Sequence, residues 1–269
     1  MDAVSPASVP LHAGRIDRVC IVIPARMDST RLPGKMLLRE TGKTLIEHTH
    51  AAAMAATAAD AVVVATDHEA IRVEVQRFGG RAEMTRQDHA SGADRVAEVA
   101  DRMSEFDIFV NLQGDEPEID PGAIDEVIDT LRADATTPIA TLATPITDRD
   151  RLSDPSKVKV VFDTTGRALY FSRCPIPFVR DAGAALAAGD TPPLFHHHLG
   201  IYAYRREFLL RLGALPPSPL EEAEKLEQLR VLQAGETIRV GVTDHAAPGI
   251  DTPADYAAFV SRTCRRAAA

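Results

Sequence analysis

The stretch Val19-Cys-Ile-Val-Ile-Pro-Ala-Arg-Met-Asp-Ser-Thr-Arg-Leu-Pro-Gly-Lys35 decides the fold of this chain. Its first half is a short apolar, β-branched run, the pattern of a strand buried on both faces of a parallel sheet. At Pro24 it breaks into a polar loop carrying Arg26, Arg31 and Lys35. Open α/β sheets bind ligands beyond the carboxyl ends of their strands, and this loop begins at such an end. Three cations there call for an anionic guest, and a polyphosphate suits them best. The stretch is not a P-loop: Ser29 stands where the first glycine is required, and Met36 where Ser or Thr must follow Gly-Lys. The three spaced glycines of a dinucleotide-binding turn are missing too.

Around this loop, apolar runs alternate with helical patterns. The order predicts an α/β chain with a Rossmann-like, mainly parallel sheet flanked by helices. Strands are expected at Ala61–Thr66, Arg81–Thr85, Ile108–Leu112, Ile139–Pro145, Val158–Phe162, Ala168–Ser172, Leu199–Tyr204 and Thr237–Val242. Helices are expected from the Thr44 cap to about Ala59, over His68–Phe78, from Ser91 to Met103, and over Pro121–Arg132. Others follow near 206–212, across 219–234 and from Pro253, while residues 181–195 read as an exposed loop.

The 269 residues suit one domain spanning 16–269, after a disordered extension over 1–15. Residues 150–215 form a smaller inserted lobe in this reading and a candidate dimer contact. The formal net charge of −9 argues against a nucleic-acid-binding face and leaves the cationic loop as a local anion pocket. Cys20, Cys174 and Cys264 lack metal or redox spacing and suit a reduced, cytoplasmic protein. No secretory signal or membrane-spanning run is evident.

Further segments carry chemistry. Asp115, in Gln113-Gly-Asp-Glu-Pro117, follows a strand and offers a hard oxygen ligand for magnesium. Asp251 is the candidate second carboxylate, in Gly249-Ile-Asp-Thr-Pro253, a motif that alone reads as an ordinary helix cap before Pro253. Ser91 caps a helix whose free N–H groups can meet a nucleotide. Of His196, His197 and His198, alternation puts only the first and last on one face, which disfavours zinc and leaves a histidine facing a polar substrate, with Tyr202 on the same side. In Pro219–Leu232, Leu220, Ala223, Leu226, Leu229 and Leu232 trace one packed stripe. Glu224, Glu227 and Gln228 sit beside it, where a solvated acidic face competes with a sugar-binding one. Asp148-Arg149-Asp150 has the letters of a glycosyltransferase metal motif but reads as a solvated turn.

Pro24-Ala25-Arg26, Ser29-Thr30-Arg31 and Leu32-Pro33-Gly34-Lys35 resemble the signature of the sugar-activating nucleotidyltransferases. With Thr85, Asp88-His89 and Ser91-Gly92, then Asn111–Pro117, Ala168–Arg173, His198–Tyr202 and Leu226–Leu232, the chain from about Val19 to Tyr256 resembles the 3-deoxy-manno-octulosonate (Kdo) cytidylyltransferase family. The resemblance implies the nucleotide-diphospho-sugar transferase fold and activation of Kdo by CTP for lipopolysaccharide biosynthesis, in a cytoplasmic homodimer. It implies that Ala25, Arg26, Lys35, Ser91, Gly92 and Arg95 meet the nucleotide, and that Asp115 and Asp251 hold Mg2+. It gives Arg31, Gln113, His198, Tyr202, Glu227 and Gln228 to the sugar, and Arg26, Lys35, Asp115 and Asp251 to catalysis. Met36 replaces a usual proline, His197 a common basic residue, and the loop before Asp251 is short for the family. The rivals are cytidylyltransferases for 8-amino-Kdo or a sialic-acid-like sugar, a glycosyltransferase, and a nucleotide-binding module without catalysis.

Overall fold

The computed structural model describes residues 17–180 and 195–268. The extension expected over 1–15 and nearly all of the loop expected over 181–195 lie outside the described residues. Among the described residues, nine strands form one sheet: β1 (Val19–Ala25), β2 (Ala61–Thr66), β3 (Arg81–Met84), β4 (Ile108–Asn111), β5 (Ile139–Pro145), β6 (Lys159–Phe162), β7 (Ala168–Ser172), β8 (His196–Arg205) and β9 (Ile238–Val242). The order is β3-β2-β1-β4-β8-β5-β9, with β6 and β7 paired off the edge of β8. Parallel pairing joins β1 to β2 and β4, β2 to β3, and β5 to β9, while β8 runs antiparallel between β4 and β5. The mainly parallel, helix-flanked α/β sheet is therefore the observed fold.

Helices α1 (Leu45–Met54), α2 (Glu69–Arg77) and α4 (Pro121–Arg132) cover one face, against Val19, Ile21 and Ile23 of β1. Helix α3 (Gly92–Arg102), α6 (Arg206–Leu212) and α8 (Gln228–Gln233) cover the other, against Cys20 and Val22. Successive β1 residues thus feed opposite cores, which is why the run is apolar throughout and not alternating. Burial pushes the Cys20 thiol up to about 12, in keeping with a core role. The short α5 (Arg149–Ser153) and α7 (Pro219–Glu224), and the closing α9 (Pro253–Ala268), are the other α-helices among the described residues.

The chain winds outward from β1 to β2 and β3, then crosses to β4 on the other side of β1. The carboxyl ends of β1 and β4 therefore flank a topological switch point, where such sheets open a crevice.

Several local expectations change. The helix from Thr44 ends at Met54, before Ala59. The helix expected across 219–234 is two helices, because Lys225 takes a left-handed conformation, φ 53°, and breaks it. The predicted stripe is consequently incomplete: Leu226 and Leu229 are buried, whereas Leu220 and Ala223 are exposed. Strand β8 begins at His196, three residues early, because its outer end pairs with β6 and β5. Asp148-Arg149-Asp150 opens α5, with the Asp148 side chain accepting from the Asp150 N–H. Of residues 150–215, β6 and β7 form a hairpin on the outer half of β8, whose inner half is the central strand between β4 and β5.

Candidate active site

The loop after β1 is shaped by its Pro-Gly turn. Gly34 sits at φ 66°, a left-handed conformation that glycine adopts without steric cost, and Lys35 donates its N–H back to the Leu32 carbonyl at 3.2 Å. This folds Lys35 inward until it is 7 % exposed. Its Nζ donates to Asp115 Oδ2 at 2.6 Å, to the Ile250 carbonyl at 2.9 Å and to Asp251 Oδ1 at 3.3 Å. Arg31 reaches the same Asp251 oxygen at 3.1 Å.

The meeting of Asp115 with Asp251 has a backbone cause. Ile250 donates its N–H to the Asp115 carbonyl at 2.9 Å, and its side chain is fully buried against Leu45, Tyr256 and Phe259. Thr252, not Asp251, caps α9: the Thr252 hydroxyl accepts from Asp255 N–H at 3.2 Å, and Asp255 accepts in return from Thr252 N–H at 2.8 Å. The motif thus does cap the helix before Pro253, through Thr252, which leaves the Asp251 carboxylate to face Lys35.

Gly114 keeps the β4 loop against the β1 loop. A Cβ at position 114 would come within 2.9 Å of the Pro24 carbonyl oxygen, so any larger residue would push the two loops apart. Ala25 ends β1, and Arg26 donates to the carbonyl of His89 at 2.9 Å, in the loop between β3 and α3. Ser91 then caps α3 in a reciprocal box with Asp94, and Gly92 starts the helix.

A cavity of about 740 Å³ opens beside these loops, lined among others by Ser91, Gly92, Gln113, Gly200, Glu227 and Gln228. His198 and Tyr202 also line it, their rings 5.4 Å apart, so the face-sharing expected from alternation holds. Thr141 Oγ1 donates to the Ile201 carbonyl at 2.7 Å and lies 3.0 Å from His198 Nε2, where it can accept the ring N–H. Burial drives the His198 imidazole down to about 3, so the ring is neutral at physiological pH. His197, on the opposite side of the strand, falls to about 4 for the same reason. Burial, followed by the neighbouring Asp94 carboxylate, raises Glu227.

Not every expected residue joins the cavity: Ala25, Arg26, Arg31, Lys35, Asp115 and Asp251 stand in the loops beside it and are not part of its lining. Arg95 is fully buried and bonded to Asp67 at 2.6 Å and to the Thr85 hydroxyl, which ties α3 to the ends of β2 and β3. Glu224 faces away from Glu227 and Gln228, accepting from Ser172 Oγ at 2.6 Å and Arg173 N–H at 3.0 Å. The helix break at Lys225 separates them. Asn111 and Tyr204, by contrast, line the cavity without having been assigned to the site. Alternation was the available signal for Tyr204, two residues beyond Tyr202 and stacked on it at 5.8 Å.

Among the described residues, no group of three or more His, Cys, Asp or Glu is placed to hold a metal. Asp115 and Asp251 nevertheless already share one cation, the Lys35 ammonium. A pair of carboxylates completed by phosphate oxygens and water is the set magnesium prefers, so these residues fit it.

The cytidylyltransferase family model matches residues 20–238. The 3-deoxy-manno-octulosonate cytidylyltransferase of Rhodopirellula baltica is 47% identical over 242 residues, covering 90% of this chain and 97% of that relative. The enzyme of the same description from Solibacter usitatus is 48% identical over 234 residues, 87% of this chain and 90% of its own. A solved structure of CMP:2-keto-3-deoxy-manno-octonic acid synthetase complexed with CTP superposes with a TM-score of 0.86 at 44% identity, covering 93% of this chain and 99% of that one. The resemblance read from the motifs is thus borne out along nearly the whole chain, and the chain belongs to the cytidylyltransferase family.

Proposed function

We propose that the chain activates Kdo with CTP, forming CMP-Kdo and diphosphate for lipopolysaccharide biosynthesis. The observation that carries the site assignment is the gathering of Lys35, Arg31, Asp115 and Asp251 beside a cavity lined by Ser91, Gly92, Gln113, His198, Tyr202, Glu227 and Gln228. Identity of 47% over most of the chain supports the choice of reaction.

The anomeric hydroxyl of Kdo attacks the α-phosphorus of CTP, a new P–O bond forms, and the bond to the β-phosphate oxygen breaks to release diphosphate. The protein needs no covalent nucleophile, because positioning and charge stabilisation supply most of the catalysis in such transfers. Arg26 and Lys35 neutralise the phosphates, Lys35 as a point charge on a flexible stem and Arg26 as a planar fork. Arg31 clamps the Kdo carboxylate. Gln113, neutral His198, Tyr202, Glu227 and Gln228 bind sugar hydroxyls, and the backbone at Ala25, Ser91 and Gly92 meets the nucleotide. Arg95 acts through α3 by holding the Ser91-Gly92 end in place. Asp115 and Asp251 would hold Mg2+, which supplies charge neutralisation and makes the attacking hydroxyl easier to deprotonate.

We place the protein in the cytoplasm as a homodimer. Exposed Leu169 and Phe178, at 60% and 89%, offer apolar surface on and just after β7 for a second copy. No helix among the described residues is long and apolar enough to cross a membrane. The deciding experiment measures diphosphate release with CTP, UTP, ATP and GTP in turn, against Kdo, 8-amino-Kdo and sialic acid. Turnover confined to CTP and Kdo is the expected result; equal use of another sugar acid would replace the substrate named here.

A further inference from the structure

His89 and Glu98 form a part-buried pair for which the proposed reaction has no use. Their side chains are 9% and 15% exposed, and His89 Nε2 is hydrogen-bonded to Glu98 Oε2. Glu98 lies on α3, where it also accepts the Arg86 N–H at 3.0 Å and pairs with Arg102. The loop between β3 and α3 is therefore fastened to the helix at two points, residues 86 and 89. A neutral imidazole with its proton on Nε2 can make this bond, so no charge on His89 is needed.

The carbonyl of the same His89 accepts from Arg26 Nη2 at 2.9 Å. A free arginine side chain carries about 2 kcal/mol of rotamer entropy, and ordering it on binding weakens the ligand by whatever part is lost. An acceptor already fixed in place removes much of that cost before the ligand arrives. The acceptor can do this only if its own loop is held.

We propose that His89 is a positioning residue: its ring, held by Glu98, fixes the carbonyl that aims the Arg26 guanidinium at the nucleotide phosphates. This rests on the reading of Arg26 as a phosphate-binding residue. It explains why a part-buried histidine–carboxylate pair links α3 to the loop before it although neither residue lines the cavity.

The test is a double-mutant cycle on CTP affinity, measured by calorimetry with Mg2+ present and Kdo omitted. His89→Leu is expected to weaken CTP about tenfold in the native background but no more than about twofold in Arg26→Ala, because neighbours acting through one another are non-additive. His89→Gln, whose amide can still donate to Glu98, should recover most of the affinity, and Glu98→Ala should reproduce the loss without altering the loop sequence. The KM for Kdo at saturating CTP should stay unchanged, whereas general loosening of the fold would raise it alongside. Equal losses in both backgrounds, or a matching rise in the Kdo KM, would overturn the proposal. If Arg26→Ala weakens CTP and His89→Leu does not, only the positioning role falls. If Arg26→Ala leaves CTP affinity untouched, the phosphate reading of Arg26 fails and takes this inference with it.

Discussion

Lys35 Nζ lies 2.6 Å from Asp115 Oδ2, and the two side chains are 9% and 26% exposed. A cation from the loop after β1 and an anion from the loop after β4 thus meet across the switch point of the sheet. The geometry makes Lys35 the counter-charge of both Asp115 and Asp251 and sets it in competition with any other cation for the same oxygens.

Lys35→Met should therefore have opposite effects on two ligands. Removing the ammonium frees the aspartate pair, so Mn2+ followed by electron paramagnetic resonance without nucleotide should bind several-fold tighter. CTP should bind about tenfold or more weaker, since a hydrogen bond to a charged group is worth about 1.5–3 kcal/mol. Unchanged Mn2+ affinity would show that Lys35 and the metal do not share the two carboxylates.

Asp115→Asn keeps the shape of the side chain and removes its charge. Turnover should fall by at least about a hundredfold, a loss of about 2.7 kcal/mol or more of transition-state stabilisation. The CTP dissociation constant should change far less, because Arg26 and Lys35 remain. Near-native kcat in this variant would remove the catalytic role given to Asp115.

Arg31→Lys tests the sugar-acid clamp. An ammonium cannot reproduce a two-pronged carboxylate contact, so the Kdo KM should rise about tenfold while the CTP KM stays close to native. Steady-state kinetics with each substrate varied in turn would separate the two, and an unmoved Kdo KM would count against Arg31 as the carboxylate partner.

The neutral, buried His198 predicts how stability depends on pH. Its folded value, about 3, lies below the unfolded value of 6.5. Below pH 6.5 the unfolded chain therefore takes up a proton that the folded one refuses. Stability should fall as pH drops from 6.5 towards 3, by about 2 kcal/mol between pH 7 and pH 5 for this residue alone. His197 acts in the same direction, down to about 4. Urea unfolding at the two pH values should show a loss about 2 kcal/mol smaller in His198→Gln than in the native protein. An identical pH dependence in the two proteins would mean that His198 is not held neutral.

Much of this molecule was legible in its residues. The apolar run at Val19–Ala25 announced a strand buried on both faces, and the polar residues after it announced a loop at its carboxyl end. The cap at Ser91 and the shared face of His198 and Tyr202 were readable for the same reason. Caps, turns and two-residue alternation are local, written within a few positions of the residue they control.

What only the tertiary structure decided was which distant groups meet. Asp251 reaches Lys35 across 216 positions because Ile250 is bonded to the Asp115 carbonyl and Thr252 has taken over the cap. Arg95 pairs with Asp67, the helix after Pro219 breaks at Lys225, and Arg26 finds the His89 carbonyl. Each depends on how strands stack and how loops pack over their ends. Those contacts follow from burial of the whole core, and no short window of sequence contains both partners.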